Sequence, residues 1–291
     1  MVYDVTIFGI NLTIKPIAFT IHIGSISWDI YWYGILIATG FALAILYGMK
    51  NAARFNVDKD RMIDVVLVAG PVAVLCARAF YVIFDGQKCE SIADFFGFGN
   101  SSGFAGLAIY GGVIGAFASG ALMCKLRKIK ITDMFDLAAI GFLIGQSIGR
   151  WGNFINQEAF GDFTGSSWWG MRSQRTLSVM GSTDLVHPCF LYESLWCIIG
   201  FFVIHHLSKK RHFSGEIALM YFAWYGFGRG FIEILRTDSL MLGPVKISCL
   251  LGFVACAASV TAIIFIRRKL KPEGEYVSVF GDNMEEENET D

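Results

Sequence analysis

The apolar residues of this 291-residue chain come in blocks of roughly twenty, the length that crosses a bilayer as helix. The blocks run about Tyr31–Met49, Ile63–Phe84, Leu107–Leu126, Met134–Gly149, Pro188–Leu207, Glu216–Leu235 and Ile247–Ile266. Composition agrees. Hydrophobic residues make up 54% and charged residues only 17%, with a mean hydropathy of +0.52. A soluble domain of this length carries about a quarter charged residues. The blocks predict an all-α polytopic membrane protein with seven transmembrane helices.

Basic residues orient the spans. Lys50, Arg54, Lys59 and Arg61 follow the first block, and Lys125, Arg127, Lys128 and Lys130 follow the third. Lys209, Lys210 and Arg211 follow the fifth, and Arg267, Arg268, Lys269 and Lys271 follow the seventh. The alternate loops are poor in lysine. The positive-inside rule then puts the N-terminus outside and the C-terminus in the cytoplasm. Three regions are expected: an outer-face interfacial arm over 1–30, a seven-helix transmembrane domain over 31–266 with an outer-face insert at 150–186, and a cytoplasmic tail over 267–291. The arm alternates apolar and polar residues weakly, and the acidic tail end EEENETD reads as disordered. Residues 1–30 lack a basic start followed by an apolar core, so no cleavable signal peptide is expected.

Several chemistries find no support. The seven cysteines sit mostly inside apolar blocks, where a thiol behaves as a small hydrophobe, and show no CxxC spacing. No disulfide framework, metal site or cofactor is expected. GxSG, HExxH and nucleotide-loop patterns are missing from the sequence. The net charge of −1 hides charges segregated by loop, and no nucleic-acid partner is implied.

The polar residues gather near the outer ends of the blocks. GRWGNFINQEAFG, Gly149 to Gly161, packs an arginine, two asparagines, a glutamine, a glutamate and three glycines into one short stretch. Before it, Gly141, Gly145 and Gly149 stand four apart, a spacing that lets another helix approach closely. If helix continues past Gly149, Arg150, Asn153 and Gln157 share a face. A plain alternative is an interfacial arginine snorkelling to water. The third block opens GFAGLAIYGGVIGAFASG; its glycines serve tight helix packing, or Gly111 and Gly112 let backbone amides approach a ligand beside Tyr110. In the sixth block Tyr225, Arg229, Glu233 and Arg236 form one helical stripe. Charged groups inside a span are costly and are paired or turned to a wet cavity. An Arg229–Glu233 ion pair is the structural alternative, but Arg236 adds a second cation. Arg78 lies near the outer end of the second block, Asp136 and Gln146 in the fourth, and His187-Pro188 opens the fifth, followed by Tyr192-Glu193.

Guanidinium groups grip phosphate through paired, charge-assisted hydrogen bonds. Arginines converging on one face of a bilayer therefore suit a phospholipid headgroup, or a phosphate leaving group that gains charge in a transition state. The rival class is a membrane transporter or channel with a buried arginine anion site. That rival calls for repeat symmetry and broken helices at mid-bilayer, and neither is visible.

GRWGNFINQEAFG, together with HPCFLYE, YGFGRGFIEILRTD and GLAIYGG, resembles the bacterial prolipoprotein diacylglyceryl transferases. The similarity runs from SISWDIYWYG to the seventh block. It implies transfer of diacylglycerol from phosphatidylglycerol to the lipobox cysteine thiol of a prolipoprotein signal peptide. A thioether forms and glycerol phosphate leaves, at the bacterial plasma (inner) membrane with the site toward the outer face. By motif, the family's essential arginine falls on Arg150, with Asn153 and Gly161 after it. A second arginine falls on Arg229, with Tyr225, Glu233 and Arg236 around it. The WYG tyrosine falls on Tyr33 and the fourth-span aspartate on Asp136, while Arg78, Gly111 and Gly112 are further candidate substrate contacts. Two positions depart from the pattern. Tyr110 stands where many members have histidine, and Phe190 where they have glutamine. A neutral tyrosine does not take a thiol proton at neutral pH, so Tyr110 is expected to donate a hydrogen bond to phosphate or glycerol oxygen.

A reporter fused to the C-terminus is expected to be active only if it functions in the cytoplasm. A periplasm-only signal would invert every outer-face assignment above.

Overall fold

The protein is described by a computed structural model over residues 2–23, 26–84, 95, 108–239, 241–243 and 245–270. The chain divides into two compact units, Met1–Gly48 with Phe135–Asp291, and Met49–Met134. The helices are α1 (Trp32–Asn51), α2 (Lys59–Phe84), α3 (Ile109–Leu126), α4 (Ile131–Asn156), α5 (Gln174–Met180), α6 (Cys189–Leu207), α7 (Glu216–Leu235) and α8 (Ile247–Lys269). The 271–291 part of the acidic tail, and the glycines expected at 103 and 106, lie outside the described residues.

The helices track the apolar blocks closely, because block length and helix length answer to the same bilayer thickness. Five are long and apolar enough to cross a membrane: Trp32–Phe55, Lys59–Phe84, Ile131–Asn156, Cys189–Lys210 and Ile247–Lys269. The protein is thus a predominantly helical, multi-pass membrane protein. Helix α7 is as long, but Glu216, Arg229 and Glu233 interrupt its apolar run. Helix α4 does not stop at Gly149. It continues to Asn156, so Arg150 and Asn153 are helical, and Gln157, at φ 55°, ends it.

In the 49–134 unit, α3 lies hard against α2. A Cβ on Gly111 would stand 2.5 Å from Phe80 Cβ and would overlap the Cys76 carbonyl; one on Gly115 would stand 2.6 Å from Cys76 Cβ. The glycines of α3 therefore serve close helix packing, the structural alternative raised by their spacing.

The other unit uses the same device. A Cβ on Gly40 of α1 would stand 3.2 Å from Gly145 Cα of α4, and one on Gly252 of α8 2.6 Å from the Gly226 carbonyl of α7. The N-terminal arm folds into two hairpins, more ordered than its weak alternation suggests. Strands β1 (Tyr3–Ile7) and β2 (Ile10–Ile14) pair antiparallel, and β1 also pairs with β5 (Met171–Ser173) from the insert. Strands β3 (Ile17–Ile23) and β4 (Ile26–Tyr31) lead directly into α1. The β1/β5 layer sits on the helix ends through Val5, Phe154, Phe160, Met171, Val186 and Phe190. A short hairpin, β6 (Met241–Leu242) with β7 (Val245–Lys246), joins α7 to α8.

Charges are stacked at the opposite end of the same helices. Asp136, fully buried, accepts from Arg211 Nη1 and from the backbone N–H groups of Gly215 and Ala218, all at 2.8 Å. These amides belong to the N-terminus of α7, whose unpaired donors need such a partner. Buried Glu216 accepts from Arg267 Nε at 2.5 Å and from the His212 backbone N–H at 2.6 Å. Helical rise separates Asp136 from Arg150 by roughly 21 Å. Asp136 therefore anchors the fold far from the arginine signature.

Asp136→Ala would leave Arg211 and two amides without their anion. Breaking a buried pair costs about 3–5 kcal/mol. The variant is expected to melt well below wild type in detergent, and an unchanged melting point would refute the anchoring role.

Candidate active site

The end of α4, the start of α6 and the end of α7 meet around one carboxylate. Glu193, on the first turns of α6, is 2% exposed. Arg150 Nη2 donates to its Oε1 at 2.5 Å, and Arg229 Nη1 donates to its Oε2 at 3.1 Å. The Tyr225 hydroxyl donates to Oε1 at 2.8 Å. Three helices are thus tied by one buried anion whose oxygens are filled by charge-assisted bonds. Glu193, met above only within Tyr192-Glu193 and HPCFLYE, was not among the residues expected in the site. Its signal was present, since an acid inside an apolar run is costly unless partnered.

Other members of the stripe extend the network. Arg229 Nη2 lies 2.6 Å from Glu233 Oε2, a close charge contact without hydrogen-bond alignment. The Arg229–Glu233 ion pair is therefore real, yet Arg229 also serves Glu193. Arg236 is held by Asp238 through Nε at 2.9 Å and Nη2 at 2.8 Å, and its Nε is 3.8 Å from Glu233. Burial alone would raise the Asp238 carboxyl, but the Arg236 bonds hold it below the usual range. Lys246 Nζ caps the carbonyls of Glu233, Ile234 and Arg236 at 3.1, 3.0 and 2.6 Å. A cation there suits the negative end of the α7 dipole.

Exposure sorts the charges. The side chains of Arg150, Arg229 and Arg236 are 22%, 18% and 12% exposed, whereas Glu193 and Glu233 are each 2% exposed. The two acids inside the helices, Glu193 and Glu233, are thus more deeply buried than the arginines they meet, while Asp238, on Arg236, is 51% exposed.

The signature residues have distinct positions. Asn153 accepts from Arg150 Nη1 at 3.3 Å and donates to Glu158 at 2.9 Å. Gly152 makes room for Tyr33, whose ring a Cβ at that position would overlap. Tyr33 therefore lies in the site, within electrostatic reach of Arg150 and Glu158. Tyr221 stacks under Tyr225 with centroids 5.7 Å apart and accepts from Gln146 Nε2 at 2.9 Å. Gly161 works through its backbone: its N–H donates to the His187 carbonyl at 2.9 Å, and the Asp162 N–H to Leu235 O at 2.8 Å. This splices the insert between the start of α6 and the end of α7. Burial, only partly offset by Asp162, pushes His187 below the usual histidine range. Phe190 stacks on Phe154 at 4.7 Å in the apolar core, away from any polar contact.

Tyr110, Gly111, Gly112 and Arg78 belong to the 49–134 unit. Tyr110 is 58% exposed there. Arg78 is buried, donates through Nε to the Phe95 carbonyl at 2.9 Å, and lies over the Tyr81 ring at 5.5 Å.

A Cβ on Gly161 would stand 2.7 Å from His187 Cβ and 2.8 Å from both Cys189 Sγ and the Leu235 carbonyl, whereas Gly149 has nothing within 4 Å. Gly161→Ala is therefore expected to lower stability by about 1–3 kcal/mol through overpacking. Gly149→Ala is expected to be neutral or slightly stabilising, since alanine is the better helix former. Equal melting points for the two variants would refute the splice.

Comparison with known proteins agrees with this geometry. The family described as prolipoprotein diacylglyceryl transferase matches residues 16–265. Proteins named phosphatidylglycerol–prolipoprotein diacylglyceryl transferase are similar over nearly their whole length. One from Bacillus cytotoxicus is 40% identical, covering 86% of this chain and 91% of its own. One from Clostridioides difficile is 36% identical over 84% and 93%, and one from Streptococcus sanguinis is 41% identical over 89% and 98%. With its GRWGNFINQEAFG arginine seated on a buried carboxylate and a match spanning 16–265, the chain belongs to the prolipoprotein diacylglyceryl transferase family.

Proposed function

We propose that this protein is a transferase that moves the diacylglyceryl group of phosphatidylglycerol to the lipobox cysteine thiol of a prolipoprotein signal peptide. The observation that carries the site assignment is the convergence of Arg150 and Arg229 on buried Glu193, both guanidinium side chains being more exposed than the acid between them. An anion-transporter reading has no comparable support, because the same motifs match the transferase family along the whole chain.

Seven spans are proposed, with α3 and α7 joining the five longer apolar helices. The N-terminal arm 1–30 and the insert 150–186 lie outside the bacterial plasma membrane, the helical domain spans 31–266, and the tail 267–291 is cytoplasmic. The basic loops support that orientation.

The phosphate of phosphatidylglycerol lies across Arg150 and Arg229. An arginine carries five N–H donors, and Glu193, Asn153 and Tyr225 are the partners of those on Arg150. Donors therefore remain for phosphate while Glu193 keeps the guanidinium planes aimed. The substrate thiol loses its proton, since the thiolate is the nucleophile. Its sulfur bonds to the diacylglycerol carbon as the bond from that carbon to phosphate oxygen breaks. Glycerol phosphate departs with the electron pair, and its growing charge is met by the arginines.

Around this centre, Asn153, Tyr33 and Tyr225 line the headgroup. Glu233 and Arg236 set the charge of Arg229, and Gly161 holds the backbone at the rim. Tyr110, Gly111, Gly112 and Arg78 are proposed as further substrate contacts on the motif resemblance, the Tyr110 hydroxyl as a hydrogen-bond donor, with Gly111 also making the close approach to Phe80 and Cys76.

The test is purified protein in phosphatidylglycerol vesicles with a lipobox peptide, scored for mass gain on the peptide cysteine. Arg150→Ala and Arg229→Ala are each expected to slow transfer by roughly 10²–10³. Lysine rescues poorly, because a point charge does not replace the fork. Tyr110→Phe is expected to slow transfer about tenfold or more without moving the pH optimum, as for loss of a donor rather than a base. Wild-type turnover in either alanine variant would remove the phosphate role from that arginine.

A further inference from the structure

One turn below Glu193, helices α6 and α7 are joined by a reciprocal tryptophan pair. Trp196 Nε1 donates to the Trp224 carbonyl at 2.9 Å, and Trp224 Nε1 donates to the Trp196 carbonyl at 3.0 Å. The two indoles stack with centroids 4.4 Å apart and planes 17° apart. Each rests on a glycine of the opposite helix. A Cβ on Gly200 would stand 2.6 Å from Trp224 Cδ1, and one on Gly228 2.6 Å from Trp196 Cε2.

An indole N–H in an apolar setting needs an acceptor. Here each acceptor is the backbone carbonyl of the residue that bears the other indole. Both bonds therefore exist only at one register and one separation of the two helices. A one-residue slip turns a helical side chain by roughly 100° and would break both together. The glycines enforce the same separation, since no larger residue leaves room for the rings.

The catalytic network depends on that same register. Glu193 precedes Trp196 by one turn, Tyr225 follows Trp224, and Arg229 follows Gly228. The contacts at stake are Tyr225 to Glu193 at 2.8 Å and Arg229 to Glu193 at 3.1 Å. Side chains of α6 and α7 make both contacts, so a shift of one helix on the other moves them directly.

We propose that Trp196 and Trp224 are positioning residues for diacylglyceryl transfer, acting through the Glu193–Tyr225–Arg229 contacts. This rests on the transferase reading. The role assigned to the indoles is exerted through helix register. Together they fix where Glu193 stands, and Glu193 fixes the guanidinium planes that meet the phosphate. Misplacement of a catalytic group by a fraction of an ångström to an ångström costs up to about a hundredfold in rate.

The experiment compares Trp196→Phe, Trp224→Phe and the double variant in phosphatidylglycerol vesicles, with turnover counted per folded protein and melting measured in parallel. Phenylalanine keeps a ring and removes the donor. Each single variant is expected to lose about tenfold in kcat. The double variant should lose little more than either single, because the two bonds depend on one stack. In a Tyr225→Phe background, which already lacks one clasp-aligned contact, the tryptophan substitutions should cost at most about twofold further. Gly200→Ala removes no donor but displaces the Trp224 ring, and is expected to reproduce the tenfold loss even if a phenylalanine variant folds poorly. Wild-type turnover in the folded variants overturns the proposal. So do losses that multiply with Tyr225→Phe and simply follow melting point, as a merely structural role predicts. A wild-type protein giving no mass gain on the peptide overturns the transferase reading instead.

Discussion

A carboxylate buried among membrane helices is tolerable only when its charge is met, and Glu193 is met three times. Arg150 arrives from α4, Arg229 and Tyr225 from α7, and Glu193 itself from α6. Remove the acid and Arg150 loses its counter-charge, while Arg229 is left with Glu233 alone, in a medium where water cannot replace it. The need to neutralise Glu193 therefore dictates how three helices meet. The same geometry leaves Arg150 and Arg229 partly exposed and the Glu193 carboxylate between them buried.

A second ionic layer does a different job at the other end of the helices. Asp136 and Glu216 gather Arg211, Arg267 and the amides that open α7. Asp136 is met by Arg211 and two amides, and Glu216 by Arg267 and the His212 amide. One layer anchors and the other is poised, although both are built from the same residue types. Between them the helices are held by glycine contacts and by the Trp196–Trp224 pair. Those contacts supply no chemistry, but they fix the register on which the poised layer depends.

Gly152 and Gly161 show how the family signature joins packing to chemistry. Gly152 admits the Tyr33 ring beside Arg150, and Gly161 lets the insert thread between His187 and Leu235. The apolar cluster of Val5, Phe154, Met171 and Phe190 then seats the β-layer over the helix ends. Phe190 stands where many relatives carry glutamine, and here it serves that cluster rather than the polar network.

Much was written in the sequence because the bilayer is a severe solvent. Apolar blocks of helix length, basic loops on alternate sides and charges confined to block ends follow from the cost of polar groups in hydrocarbon, and that cost acts on each residue where it stands. The arginine signature, the 225–236 stripe and the family were legible for the same reason. Tertiary structure alone decided which charge meets which. Sequence spacing does not separate Asp136, an anchor, from Glu193, the hub, since each is an acid in an apolar helix; their neighbours do, Arg211 and the amides that open α7 for one, Arg150, Tyr225 and Arg229 for the other. The order of the N-terminal arm, the backbone role of Gly161 and the Trp196–Trp224 bonds were equally hidden. Each depends on the partner across a gap of a few ångströms, and sequence spacing along one element does not encode that partner.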